Sequence, residues 1–387
     1  MIVRRQLPAP IAALIADCDA RRATALGEPY ATDLPTTVGL GALLRHTLHR
    51  VDAEQVAPDG SVRWFAQEAL MQMAALLHAP RGWWGALYGG LADATVQALL
   101  PLRNAAQDLV LYRSAAAHGH VSEAAAVLGL DEVVVPADRG GSVVVEELAA
   151  EVQRRRARPT VVVATIGTPW TGAHDDLGAI RSVVRSVSRH YLHVDAPLEG
   201  LPVELRSDAG TLFASGADSV VVAGDQFLGV PLPCAFAVGR IRRDWLSSLP
   251  KTGRPIGGEV GHAAVLAWYA LHEFGVAGLA RRARRSNALA GYTVRRLREV
   301  GWPAWRNGGS MVVALRPPSL PMQKRWSLPV HDGRSRIVCV PGLTEAHVDR
   351  FIAELRLGPP PDATGSAVAE SGPPIHSGRA ARSEAPG

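Results

Sequence analysis

Residues 132–165 read EVVVPADRGGSVVVEELAAEVQRRRARPTVVVAT, and this stretch decides the fold. Two short β-branched runs, Glu132–Pro136 and Thr160–Thr165, flank a segment from Val145 to Arg156 that reads as a helix. A strand, a helix and a strand in so short a span predict a parallel pair joined by a crossover helix. The same rhythm runs outward in both directions. A strand at Asp108–Tyr112 and a helix at Val121–Leu128 precede it; a helix at Ile180–His190 and strands at Tyr191–Asp195 and Ser219–Ala223 follow. Strands alternating with helices predict a mainly parallel sheet covered on both faces. Ligands of such sheets bind beyond the carboxyl ends of the strands. His118, Asp195 and Gln226 each lie at or just past a strand end.

Further out, apolar residues at three- and four-residue steps predict a helix over Val62–Leu77. A second helix at Ala92–Leu102 follows the turn Tyr88-Gly89-Gly90, which would present backbone N–H groups at its N-terminus. Toward the C-terminus, Ala263–Leu297 reads as one long or broken helix. Strands at Met311–Leu315 and Ile337–Val340 and a helix at Thr344–Leu355 complete a smaller α+β unit. The expected division is an N-terminal arm (1–55), a large domain with the pocket (56–245), connecting helices with a small C-terminal domain (246–358), and a tail (359–387). The tail, rich in Pro, Gly, Ala and Ser, is expected to be disordered.

With 387 residues, 47% hydrophobic and 20% charged, the chain is too long for one core and has an ordinary globular composition. No apolar run approaches the ~20 residues a membrane span needs. The two arginines near Met1 precede no apolar signal core. Cys18, Cys234 and Cys339 lie far apart without metal-ligand spacing, so a reducing cytoplasm is the expected compartment. The net charge of +5 rests on clusters such as Arg154–Arg158 and Arg281–Arg285. These suit solvated helix faces better than a nucleic-acid surface, which would need stacking aromatics along a basic stripe. Of the 41 basic residues only Lys251 and Lys324 are lysines.

Several ordered stretches resemble the group II pyridoxal-phosphate-dependent amino-acid decarboxylases, of the bacterial histidine and serine decarboxylase type. They are Trp84–Thr95 (WGALYGGLADAT), Tyr112–Val121 (YRSAAAHGHV), Ala164–Leu177 (ATIGTPWTGAHDDL), and His193–Cys234 with HVDAPLEG and ADSVVVAGDQFLGVPLPC. The likeness continues through Gly257–His262 (GGEVGH) and Arg306–Gly342, spanning roughly residues 60 to 355. It implies a fold-type I, aspartate-aminotransferase-like architecture with a mainly parallel seven-stranded sheet. It also implies a dimer with active sites at the subunit interface. By resemblance, Asp195 pairs with the cofactor's pyridine nitrogen, and His118 stacks on its ring and serves proton transfer. Thr165 and Trp170 fall on the substrate side of the pocket, and Gly257, Gly258 and Glu259 fall where a neighbouring subunit reaches in.

The departures from the pattern concentrate at one place. Where the family carries its aldimine lysine, this chain reads Ala223-Gly224-Asp225-Gln226. A carboxamide nitrogen is not a usable amine nucleophile, so no aldimine forms at Gln226. The family's phosphate-binding hydroxyls are replaced by Gly89, Ala92 and Ala223, and Asp225 puts an anion where the phosphate would approach. Two like charges ~4 Å apart at an effective dielectric of ~20 repel by roughly 4 kcal/mol, and the lost hydroxyl bonds add to that. No cofactor is therefore expected, with a non-covalently held one as the variant reading.

His118, Asp195, Asp225 and Gln226 are the catalytic candidates. Tyr88, Gly89, Gly90, Ala92, Thr165, Trp170 and Ala223 are the pocket candidates. Asp175 and Asp176 read as architectural, His118-Gly119-His120 is too sparse for a metal site, and Trp83, Trp84, Trp302, Trp305 and Trp326 read as core or interface. Lys324 falls on a small-domain helix; Lys251 precedes GGEVGH and is the one lysine near enough to substitute. Three readings stay open. One is a repurposed enzyme doing acid–base chemistry (cyclisation, elimination or condensation) on a small amino-acid-derived or conjugated substrate. The second is a silent subunit or ligand-binding partner of an active decarboxylase, as a homodimer or heterodimer. The third is non-covalent pyridoxal or pyridoxamine phosphate chemistry.

Overall fold

The computed structural model describes residues 8–35, 41, 43, 62–206, 210–242, 245 and 261–357. The tail, Lys251 and the Gly257-Gly258-Glu259 segment lie outside them. Thr160–Thr165 (TVVVAT) is fully buried along its length, as a run of β-branched residues must be when both faces of a sheet are covered. It forms β4 of a seven-stranded sheet. The other strands are β1 (Trp83–Tyr88), β2 (Val110–Ser114), β3 (Asp131–Val135), β5 (His190–Asp195), β6 (Ser219–Ala223) and β7 (Ala235–Arg240). Their order is β1-β7-β6-β5-β4-β2-β3. The β3, β2, β4, β5 and β6 strands run parallel, whereas β7 runs antiparallel to both β6 and β1. The sheet is thus seven-stranded and mainly parallel, as expected.

Two of these strands were not legible in the sequence. β7 (AFAVGR) is rich in alanine and glycine, which have weak strand preference, whereas β1 (WWGALY) has three aromatics but no apolar–polar alternation to mark it; the two pair with each other along their length. The helix expected over Ile180–His190 instead spans Leu177–Val184. Asp176 caps its start by accepting from the Ala179 N–H at 3.0 Å. At the other end the Ser186 hydroxyl donates to the Val183 carbonyl at 2.7 Å and competes with further helical turns. His190 is already the first residue of β5.

Among the described residues nine further helices flank the sheet or follow it, and two of them make the most extensive helix–helix contact. In chain order the first helices are α1 (Ala9–Arg22), α2 (Val62–Leu76), α3 (Leu91–Ala105), α4 (Gly119–Val127) and α5 (Val145–Arg154). They are followed by α6 (Leu177–Val184, above), α7 (Gly200–Glu204) and the long α8 (Gly261–Glu299). α2 packs on α8, which breaks at Gly275, where φ 56 and ψ 175 leave the helical region. Among the described residues α8, expected as one long or broken helix over Ala263–Leu297, is the one helix long and apolar enough to cross a membrane. Half of its apolar window is buried inside the protein, as in a core helix.

A four-stranded antiparallel sheet, in the order β10-β11-β9-β8, follows α8. It comprises β8 (Ala304–Trp305), β9 (Val312–Leu315), β10 (Val330–His331) and β11 (Arg334–Val338), with α9 (Leu320–Arg325) and α10 (Glu345–Leu357). Its own core holds Trp302, Trp326, Ile337 and Phe351. Trp84 and Trp305 are buried as well. All three cysteines are free thiols.

Candidate functional site

The parallel strands end along one edge of the large sheet, and four of the residues singled out meet beyond it. Thr165 closes β4 and Asp195 closes β5, directly opposite one another in register. His118 caps α4 just after β2, accepting the His120 N–H at Nδ1. Gln226 sits in the turn after β6, its carbonyl accepting from the Ala31 N–H at 2.9 Å. All four line one cavity of ≈ 290 Å³, the size of a small metabolite's site. Its opposite wall is Val312 and Val338 from the small sheet, together with Arg336. Glu28 and Tyr30 of the N-terminal segment close the side.

Asp195 is fully buried, and neither carboxylate oxygen has a hydrogen-bond partner of good geometry. Its nearest charge partner is His120, whose Nε2 lies 3.2 Å from Oδ1. Burial pushes the Asp195 carboxyl up, but the imidazole of His120, with smaller help from His193 and His118, outweighs that and holds it below the usual range. The reciprocal pull of Asp195 overcomes burial and raises His120. His118 is lowered, by burial and by His120; their Nδ1 atoms are 2.9 Å apart. Behind Asp195, His193 is buried and pushed down to about 4 by that burial, and its Nδ1 pairs with Ser219 Oγ at 2.7 Å.

Arg336 and His120 were not among the sequence-derived site residues. Arg336 stands on alternate positions of β11 with Val338, so both reach the cavity. Its Nη1 donates to the Pro169 carbonyl. The guanidinium carbon lies 4.9 Å from the Trp170 ring centroid, while Nε is buried without a partner. Trp170 therefore supports Arg336 from behind, stacked on His331 with centroids 4.9 Å apart, and is not on the cavity wall. His120 was signalled only by its spacing from His118.

Other candidates fall elsewhere. Asp225 lines an adjoining groove with Arg22, Tyr30 and Thr32, and burial raises its carboxyl to about 6. Tyr88 is buried beside Trp84 and Ala94, Gly89 and Ala92 are exposed, Gly90 is half-buried and Ala223 is buried. Leu91, not these, touches the cavity. Asp175 accepts from the Val143 and Thr165 N–H groups at 2.7 Å each, an architectural role. Glu199 joins the two sheets: its Oε1 accepts from Ser310 Oγ at 2.7 Å and from the Met311 N–H at 2.8 Å, and Oε2 meets His174. Among the described residues no three His, Cys, Asp or Glu side chains converge as metal ligands.

The sheet order and the pocket beyond its carboxyl edge define a fold-type I, aspartate-aminotransferase-like protein. The solved structure of the Streptomyces L-methionine decarboxylase in its internal aldimine form superposes with a TM-score of 0.78, covering 92% of this chain and 98% of that one at 19% identity. Residues 97–248 match the pyridoxal-dependent decarboxylase conserved domain. A histidine decarboxylase of Mesorhizobium japonicum is 32% identical over 280 residues, 70% of this chain and 75% of the relative. One of Vibrio campbellii is 26% identical over 306 residues, 75% and 79% of the two chains. The chain belongs to the group II pyridoxal-phosphate-dependent decarboxylase family.

Proposed function

We propose that this chain is an enzyme that has kept the decarboxylase pocket and works in it by acid–base chemistry, without an aldimine-linked cofactor. The observation that carries this reading is Gln226 on the wall of the cavity that also holds Asp195 and His118. Its carboxamide has no nucleophilic amine to offer. Among the described residues Lys324 is the only lysine, and it sits on α9, away from the cavity. The positions that resemblance assigns to phosphate-binding hydroxyls are Gly89, Ala92 and Ala223, and Asp225 is an acid in the adjoining groove. The residues present do not fit pyridoxal phosphate as a covalently held group.

What remains suits a small substrate with an anionic end. Arg336 is a largely desolvated cation with a free Nε; the charge of Glu28 on the same cavity wall acts on it without forming an ion pair, and burying a cation without a close anion costs several kcal/mol. A carboxylate arriving with an amino-acid-derived substrate would offset that cost. The relatives, histidine decarboxylases, fit the same substrate class. Cyclisation, elimination and condensation are the reactions a proton donor and acceptor can drive in such a chamber.

A second copy of the chain, or an active homologue, is the partner that α1 favours. That helix has no buried residue and exposes Ile11, Leu14 and Ile15 on one stripe. The setting we propose is cytoplasmic.

The test is an absorbance titration of the purified protein with pyridoxal phosphate, alongside the Lys251→Ala variant. No aldimine band is expected. A band that disappears in Lys251→Ala would overturn the reading. Comparing metabolites of the host with and without this chain supplies the product to follow, which should also be lost in both His118→Ala and Asp195→Ala; unchanged output from the two would rule out an enzymatic role for the pocket.

A further inference from the structure

We infer that Asp195, His120 and His118 form a proton relay, in which His120 takes the place a cofactor ring nitrogen would occupy against Asp195. The inference deepens the acid–base reading above and rests on it for its use, but it stands on geometry of its own. Asp195 is buried with no good hydrogen-bond partner at either oxygen, and the nitrogen that faces it is His120 Nε2 at 3.2 Å. The other nitrogen of the same ring lies 2.9 Å from Nδ1 of His118. The two rings are 4.8 Å apart, tilted by 35°.

The protons follow from counting donors and acceptors. Nδ1 of His118 already accepts the His120 backbone N–H at 3.2 Å, so it carries a lone pair and its own proton sits on Nε2. The 2.9 Å contact between the two Nδ1 atoms then places a proton on the His120 side, the single lone pair of His118 Nδ1 being shared between this ring N–H and the longer backbone one. His120 Nε2 makes no hydrogen bond of good geometry, but it lies 3.2 Å from the buried Asp195 carboxylate, and the charge attraction across that distance favours a second proton on it. His120 is therefore an imidazolium clamped between a carboxylate and a neutral histidine, in line with the opposite directions in which the two rings are shifted. Glu123 on α4 and Arg336 from β11 are the other charged groups acting on the pair, and His193 from β5 is coupled to His120 and Asp195.

The relay conserves atoms and charge. A basic atom of the substrate takes the Nε2 proton of His118. The Nδ1 lone pair of His118 takes the Nδ1 proton of His120, and His120 is left as a neutral imidazole with its Nε2–H toward Asp195. One proton has left the protein, and His118, which both lines the cavity and is exposed to solvent, is the point where it is restored. In this scheme His118 touches the substrate, while His120 and Asp195 are positioning residues that act through it.

The relay is tested on the protein itself, without a substrate. Long-range proton–nitrogen NMR of histidine-labelled protein follows each ring nitrogen with pH, and His118→Gln and His120→Gln supply the assignments. His120 is expected to be doubly protonated at pH 7 and to titrate above the ordinary histidine value of about 6.5, with His118 in the Nε2–H tautomer. Asp195→Asn should lower the His120 value by about one unit or more. His118→Gln leaves the Asp195 contact in place, so His120 should stay protonated in that variant, which covers the case of an Asp195→Asn chain that does not fold. A His120 that is neutral at pH 7 in the parent chain and in His118→Gln overturns the relay. So does a His120 signal displaced by added pyridoxal phosphate, since a ring nitrogen would then have taken Asp195. That displacement, without an aldimine band, would leave the lysine-free reading intact.

Discussion

Replacing Glu199 by alanine removes one acceptor that serves three donors, and its cost can be worked from the contacts. The side chain is 1% exposed. Its loss strands the Ser310 hydroxyl and the Met311 N–H in a space closed to water, both now bonded at 2.7 and 2.8 Å. His174 is partly exposed and can turn to solvent, so it adds little. Two buried donors at about 1.5–2 kcal/mol each give a loss of about 3–4 kcal/mol, within the range for breaking a buried charged contact. With an unfolding entropy of ~2.1 cal/mol/K per residue over roughly 300 ordered residues, the midpoint should fall by about 5–6 °C. Thermal melts followed by circular dichroism measure it directly. Glu199→Gln keeps one acceptor oxygen and should recover about half of the loss. The damage should also reach the pocket, because Ser310 and Met311 lead into β9, whose Val312 lines the cavity wall. A fall below about 1 °C for Glu199→Ala, or a glutamine variant no better than alanine, would refute this account of how the sheets are joined.

Two other outcomes follow from the same geometry. Asp225 is raised to about 6 by burial, so between roughly pH 4 and 6 the native state binds more protons than the unfolded one and stability falls as pH rises. Asp225→Asn should match the parent near pH 4 and exceed it by about 1–2 kcal/mol above pH 6, after allowing for solvent screening at this half-buried position; urea melts across that range decide it. Gln226→Lys should not restore aldimine absorbance with pyridoxal phosphate, because Gly89, Ala92 and Ala223 still lack hydroxyls; a band from this single change would show that they do not limit binding.

The parts of the fold that the sequence made legible are those whose chemistry is local. The buried β4 (TVVVAT) and β6 (SVVVA) are dominated by β-branched residues, and β5 (HYLHVD) runs between them into an aspartate, so their carboxyl ends, and with them Thr165, Asp195 and Gln226, could be placed by inspection. His118 could be placed because it opens a helix straight after β2. The contacts that give the site its character are not local. Arg336 arrives from the other sheet, and its role depends on how that sheet docks. The His120–Asp195 contact depends on the register of two strands, β2 and β5, on either side of β4. Asp225 and Trp170 adjoin true wall residues yet face elsewhere, because a loop side chain has no periodicity to fix its direction.

The pairing of β1 with β7 has a consequence for how the chain is made. Tyr88 lies opposite Ala235, so β1 leaves the ribosome roughly 150 residues before the strand that holds it in the sheet. At typical synthesis rates of ~5–20 residues per second that is an interval of about 7–30 s. Throughout it, a strand carrying Trp83 and Trp84 has no partner of its own, and it is the kind of edge that invites pairing with another nascent chain. The sheet is therefore sealed last at its first strand, and translation speed across residues 88–235 becomes a property on which the yield of folded protein depends.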